Sequence, residues 1–177
     1  NTDKMETLLR LRRLFDEKVG DPEAADLLEA YYASHEDWEE VAAVLKRRFE
    51  LSEGRDDRLE NAQKLVNVLL SRLEDKVRAI VYCGEALVID PEDFASLDQL
   101  LRLKDDTGML SETVEYLQRA RRAADDVEAY RNLGMHAGGM LRELERHEDA
   151  EQCFRELLDK DEEFIAAWQA LEALYEE

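Results

Sequence analysis

The sequence LENAQKLVNVLLSRLEDKVRAIVYCGEALVIDP, residues 59–91, contains the clearest structural pattern of the chain. Its first half carries apolar residues at helical spacing, and its second half carries the small residues Ala79 and Ala86 at a spacing that places them on one helix face. Pro91 ends the second helix because its ring cannot continue a helical hydrogen-bond ladder. The stretch therefore predicts two helices joined by a short turn, which approach each other closely at the small residues.

The same pattern returns along the chain. Equivalent first residues are separated by 38, 34, 33 and 38 positions, and they are Pro22, Glu60, Phe94, Val127 and Ile165. Turn signals such as Glu53-Gly54-Arg55 and Gly20-Asp21-Pro22 stand between the copies. The sequence therefore predicts about ten helices arranged as an internal repeat, with the first over 3–18 and the last over about 163–176.

This repeat resembles the tetratricopeptide repeat, whose second helix has a small residue, an aromatic or apolar residue four later and a small residue three later, before a closing Asp-Pro. Ala79, Cys83 and Ala86 follow that order before Asp90-Pro91, although Cys83 replaces the aromatic. Ala150, Phe154 and Leu157 repeat it with the aromatic, and Lys160-Asp161-Glu162 stands where Asp-Pro is expected. The spacings lie close to the family period of about 34.

The resemblance implies an all-α, right-handed superhelical solenoid of antiparallel helix pairs. It implies one repeat domain over 1–177, with units at about 22–58, 59–92, 93–126 and 127–163 and partial units at both ends. Because the chain starts at Asn1 and ends partway through a repeat pattern, we expect it to be a fragment of a longer protein.

Composition narrows the function classes. The chain has 24 Lys and Arg against 44 Asp and Glu, a formal charge of −20, which would repel a nucleic-acid backbone. The acidic surface either attracts a basic partner or simply keeps the protein soluble. No apolar run is long enough for a membrane span and the start has no secretory character, so we expect a cytoplasmic protein without membrane insertion. Cys83 and Cys153 lie inside helical patterns and are expected in the core.

Catalytic motifs are not found. The sequence shows no nucleophile elbow, phosphate loop, dinucleotide fingerprint or paired-cysteine cluster, so we expect neither an enzyme nor a cofactor. His35-Glu36-Asp37 and His147-Glu148-Asp149 are either metal ligands or, as we expect, helix starts where Asp37 or Asp149 caps free amides. His136 stands alone, and three dispersed histidines supply no metal site.

Gly138-Gly139 lies inside a predicted helix, where each glycine costs about 1 kcal/mol relative to alanine. The pair indicates either close helix packing or a kink, or else a concave surface that a ligand backbone approaches. In the second case Met135 and Met140 would be adaptable apolar contacts.

Tetratricopeptide proteins usually bind peptides in a concave groove lined by first helices. The resemblance places nine residues on that surface, called here the predicted groove set: Asn61, Lys64, Val68, Arg72, Asp98, Arg102, Arg131, Met135 and Gly138. Its basic members suit an acidic or carboxylate-bearing peptide. Alternatively, they only neutralise neighbouring acids at helical spacing. The lysine–asparagine set of the family's carboxylate clamp is not reproduced, so binding to chaperone C-termini is not implied.

We therefore expect a protein–protein interaction scaffold that holds a partner segment in the groove. The alternative is a structural spacer of a larger repeat protein, which self-associates through an end that exposes Trp168 and Tyr175.

Overall fold

The computed structural model describes residues 2–17 and 22–176, and all regular secondary structure in these ranges is helical. The ten helices of the described ranges are α1 (Thr2–Glu17), α2 (Pro22–Ser34), α3 (Trp38–Leu51), α4 (Arg55–Ser71), α5 (Lys76–Ile89), α6 (Phe94–Thr107), α7 (Leu110–Ala123), α8 (Val127–Glu143), α9 (His147–Lys160) and α10 (Ile165–Tyr175). The predicted all-α class is confirmed. The turn signal at Gly20 and Asp21 lies outside the described residues.

The chain divides into two compact units, residues 1–82 and 83–177, and the boundary falls within α5. In the first unit α1 packs on α2, α2 on α3, and α3 on α4. In the second unit the helices from α6 to α10 pack consecutively, and α10 also contacts α8. Each unit therefore follows chain order in its packing. Organisation as one domain stays a prediction.

One turn recurs in four helix pairs, α2/α3, α4/α5, α6/α7 and α8/α9. Each turn contains one residue with a left-handed backbone, and these residues are Glu36, Glu74, Gly108 and Glu145, with φ of 56°, 53°, 71° and 58°. In every case the carbonyl of the following residue accepts a hydrogen bond from the amide four positions later, over 2.9–3.2 Å. The four turns therefore share the same start to the second helix.

Burial follows the same register. The residue five positions after each left-handed residue is buried, and so is the residue four positions after that. The pairs are Val41 and Leu45, Ala79 and Cys83, Thr113 and Leu117, and Ala150 and Phe154. The third position of the pattern is buried as Ala86, Ala120 and Leu157, whereas Arg48 is only half-buried there. The second helices thus present the same face to the core in all four pairs, and Cys83 and Cys153 are both buried as expected.

The expected caps at Asp37 and Asp149 are wrong. Asp37 precedes α3 but its side chain accepts no capping hydrogen bond. Asp149 lies inside the first turn of α9, where its carboxylate accepts from Arg146 Nε at 2.7 Å. Two other aspartates cap helices. The Asp93 side chain accepts hydrogen bonds from the amides of Ala95 and Ser96 at the start of α6, and the Asp126 side chain accepts one from the amide of Ala129 at the start of α8.

Across residues 2–17 and 22–176, no helix combines the length and the apolarity that crossing a membrane requires.

Candidate functional site

Asn61 belongs to the interior rather than to an open surface. Its side chain is buried, with 5% exposed, and its Nδ2 donates to Ser52 Oγ at 3.2 Å. Ser52 in turn donates to the carbonyl of Arg48 near the end of α3. Asn61 therefore joins α4 to the end of α3, and this member of the predicted groove set has little surface to offer a partner.

Lys64 and Arg102 lie at exposed positions but are each engaged by an acid one helical turn earlier. Lys64 Nζ lies 2.7 Å from Glu60 Oε1, and Arg102 Nη2 lies 2.6 Å from Asp98 Oδ2. The hydrogen bond from Lys64 lowers the pKa of the Glu60 carboxyl below its ordinary value. Each of these cations therefore pairs with an acid at helical spacing, which is what the alternative interpretation expects, and such exposed pairs contribute little to stability.

The remaining cations of the predicted groove set lie against aromatic rings. The Arg72 guanidinium lies 4.6 Å from the ring centroid of Trp38. Arg131 lies 5.2 Å from the ring centroid of Phe164 and also pairs with Asp161. Val68 and Met135 are half-buried. Arg72 and Arg131 are thus in contact with aromatic rings of their own unit, which limits how far these two side chains can turn towards a ligand.

Gly138 lies at a close approach between α8 and α9. A Cβ atom added at Gly138 would lie 2.3 Å from Phe154 Cε1, whereas one added at Gly139 would meet nothing within 4 Å. Close packing is therefore confirmed as the reason for a glycine at Gly138. Met140 is buried and is not the surface contact proposed for a ligand, because it lies on the core side of α8.

A buried arginine that sequence reasoning missed connects α7, α8 and α9. Arg121 is 4% exposed, and its Nη1 donates to the carbonyl of Cys153 at 3.3 Å. Its Nη2 donates to Glu156, and its guanidinium lies 5.3 Å from the ring centroid of Tyr130. Burial raises the pKa of the Cys153 thiol, so the thiol stays protonated and unreactive. The arrangement suits packing rather than chemistry.

An open groove of the second unit lies between α9 and α10, with a volume of about 1250 Å³. Its apolar surface comes from Leu158 and from four residues of α10, which are Ile165, Trp168, Leu171 and Tyr175. Leu158 and Leu171 are buried at its floor, whereas Ile165 is 69% exposed. We call this surface the α9–α10 groove.

Both aromatic side chains of the α9–α10 groove are fixed at their polar ends. Trp168 Nε1 donates to the carbonyl of Glu162 at 2.9 Å, and the Tyr175 hydroxyl donates to Glu151 Oε1 at 2.7 Å. Arg155 also donates to the Tyr175 hydroxyl. Trp168 is nevertheless 55% exposed and Tyr175 61% exposed, as the sequence predicted for this end. The hydrogen bonds thus orient the Trp168 and Tyr175 rings, while much of each side chain stays exposed to solvent.

Two grooves of the first unit are smaller. One, of about 330 Å³, includes Glu39 and Arg78, whose side chains form a pair of hydrogen bonds at 2.8 and 2.9 Å. The other, of about 260 Å³, includes Asn61 and Arg48, and Arg48 Nη1 lies within 3.2 Å of both Asp26 and Glu29. Their charged groups are therefore satisfied internally.

One alternative for the histidines is a metal site. Among the described residues, no group of three or more His, Cys, Asp or Glu side chains is close enough to hold a metal ion. His35 is exposed, and its Nδ1 lies 2.8 Å from the carbonyl oxygen of Tyr31. The His35 ring also lies against the Tyr31 ring, with the two centroids 4.2 Å apart.

Comparison with known proteins gave no matching family model and no curated protein of significant similarity, so the function is argued from the residues and their geometry alone.

Proposed function

We propose that this chain is a tetratricopeptide-like helical-repeat scaffold that binds another protein. The observation that carries the proposal is the shared register of four helix pairs, in which a left-handed turn residue is followed at fixed distances by buried residues of the second helix. The left-handed positions recur after 38, 34 and 37 residues. Packing of successive helices in chain order within each unit supports the same assignment.

Protein binding follows from what such repeats do physically. Each repeat contacts only its neighbours, so stacking creates an extended surface instead of one enclosed pocket. Here the described residues offer open grooves and exposed aromatic faces, while the two thiols are buried and their pKa values are raised by burial, that of Cys83 to about 12. A surface of this kind suits a cytoplasmic scaffold that recognises a protein segment.

The proposal is tested by capture of partners from native lysate, with identification by mass spectrometry and titration of the purified partner. Lys64→Glu/Arg102→Glu changes two exposed cations of the predicted groove set that lie beside an acid of their own helix. Lys46→Glu/Arg47→Glu is the matched control, since both residues are exposed and both approach Glu50. A purified partner that binds the parent and the control supports a scaffold, and its loss by Lys64→Glu/Arg102→Glu assigns the groove. Absence of any partner that binds when purified contradicts the proposal.

The second candidate function is structural self-association. It is favoured by the exposure of Trp168 and Tyr175 on α10. Sedimentation velocity over a hundredfold range of concentration, about 1 to 100 μM, would show a rising mass if this candidate is correct. A strictly monomeric chain over that range excludes it.

A further inference from the structure

Helix α10 is apolar on two faces. One face carries Ala167, Leu171 and Leu174, which are buried where α10 packs on α9 and α8. The other carries Ile165, Trp168 and Tyr175 at helical spacing, and all three are exposed. A helix that is apolar on two faces is normally covered on both. In the described part of the chain, only the first face of α10 is covered.

The α9–α10 groove extends along the whole of α10, because its lining on that side reaches from Ile165 to Glu176. A helix that follows α10 for its 11 residues is about 16 Å long, and this is the length of partner helix that the surface would contact. Helix α9 contributes Gln152, Arg155 and Leu158 at a spacing of three, which is the stripe that a parallel or antiparallel helix would contact, and Glu162 lies in the turn that follows.

Charge identifies the chemistry of the occupant. Four carboxylates surround the apolar surface: Asp159, Glu162, Glu172 and Glu176. None of the four forms an ion pair within residues 22–176, and Asp159 has a longer-range electrostatic interaction with Arg155. The cation of the groove, Arg155, is held at 2.6 Å from Glu151 and also donates to Tyr175. A second copy of this chain, with a charge of −20, would bring more acid to the same surface.

We propose, resting on the function proposed above, that the α9–α10 groove binds a basic amphipathic helix of a partner protein. The apolar stripe of that helix packs on Ile165, Trp168 and Leu158, and its Lys or Arg residues face the four carboxylates. Because hydrogen bonds already orient Trp168 and Tyr175, binding costs little side-chain entropy at the two largest contacts. The lining of the α9–α10 groove shares no residue with the predicted groove set.

The probe is a labelled synthetic helix of about 18 residues, with leucine at positions i, i+3, i+4 and i+7 and lysine on both flanks. Its counterpart has glutamate at every lysine position. Anisotropy at physiological ionic strength should give micromolar binding of the lysine peptide and about tenfold weaker binding of the glutamate peptide. Ile165→Ser/Trp168→Ala, which alters two exposed side chains, should weaken the lysine peptide about tenfold or more while the circular dichroism of the chain stays unchanged.

A charge control separates the site from general attraction. Glu162→Lys/Glu172→Lys should reverse the preference and favour the glutamate peptide. Glu115→Lys/Glu143→Lys makes the same change in net charge at exposed positions outside the groove and should leave the preference as it is. Equal effects of the two double variants would overturn the proposal, because they would indicate only long-range attraction to an acidic protein.

Two other results would overturn the proposal. Sedimentation that shows a dimer dissociated by Ile165→Ser/Trp168→Ala would assign the groove to a second copy. A purified lysate partner that binds Ile165→Ser/Trp168→Ala as well as the parent, together with no binding of the lysine peptide, would overturn the groove assignment and leave the scaffold function standing.

Discussion

The interface between α8 and α9 restricts which residue can stand at one position. The four turns that join paired helices do not restrict their left-handed position in this way. At the interface, Gly138 lies so close to Phe154 that a single added carbon would overlap the ring. In the turns, the same left-handed geometry is occupied once by Gly108 and three times by glutamate. Close contact between helices therefore dictates the residue, whereas the turn geometry is imposed by the pairing and accepts an unfavourable residue.

The largest expected effect tests the interface. We predict that Gly138→Ala lowers the free energy of unfolding by about 2–3 kcal/mol, because the added carbon must displace a buried ring. The neighbouring Gly139→Ala should instead raise stability by up to about 1 kcal/mol, since its Cβ meets open space and alanine favours helix. Urea unfolding followed by circular dichroism measures both.

A second substitution at Phe154 tests whether overlap with its ring causes the loss of stability in Gly138→Ala. In Gly138→Ala/Phe154→Leu, the smaller leucine removes the overlap, so the loss should be clearly less than the sum of the two single losses. Additive losses would show that the glycine is needed for some reason other than its contact with the ring.

The next effect concerns Arg121 and its exposed neighbour Arg122. Arg121→Leu removes the hydrogen bonds to the Cys153 carbonyl and Glu156, and we predict a loss of about 2 kcal/mol in unfolding free energy. Arg122→Leu, at an exposed position of α7, should change stability by less than about 0.5 kcal/mol. Thermal melts at matched concentration compare the two, and equal losses would mean that the buried contacts of Arg121 do not stabilise the fold.

Much of the fold could be read from the sequence because its signals are periodic. The helical spacing of apolar residues and the return of Ala79, Cys83 and Ala86 as Ala150, Phe154 and Leu157 predicted the buried faces of α5 and α9. The sequence analysis placed Gly138 in the predicted groove set, and it did not show that Phe154 lies against Gly138 and away from Gly139. The left-handed turns were also missed, because glutamate is not a residue that signals such a backbone.

The candidate site was less readable for a related reason. Lys64 and Arg102 have acids four residues earlier, so their pairing could be anticipated from helical spacing. The burial of Asn61 and Arg121 could not, because polar residues are usually exposed and only the packing of neighbouring helices encloses them. The exposed Trp168 and Tyr175 were recognised, but the carboxylates around them come from both α9 and α10 and required the structure.

The left-handed turns allow a smaller test of how strongly backbone geometry restricts residue identity. Glu74→Gly should raise the free energy of unfolding by about 0.5–1 kcal/mol, because glycine adopts the left-handed backbone without the steric cost of a side chain. Glu74→Ala keeps that cost and should gain nothing. The reverse change, Gly108→Ala, should lose about 1 kcal/mol. If Glu74→Gly and Glu74→Ala behave alike in urea unfolding, the gain arises from removal of a charge and not from backbone strain.

The smallest expected effect is a pH dependence at His136 in α8. Burial, together with the nearby charge of Lys104, lowers the pKa of His136 below its ordinary value of 6.5. The unfolded chain therefore binds a proton at a higher pH than the folded chain does, so the contribution of His136 is complete above pH 6.5 and is lost as the pH falls from there towards the folded pKa. We predict that the parent loses more stability than His136→Gln when urea unfolding is repeated at about pH 7.5 and about pH 5.5, a window that lies above most carboxyl titrations. The same loss in both proteins would show that another group causes the dependence. A larger loss of unfolding free energy in His136→Gln than in the parent would mean that the folded chain stabilises protonated His136. The surroundings of His136 in α8 would then accept a positive charge.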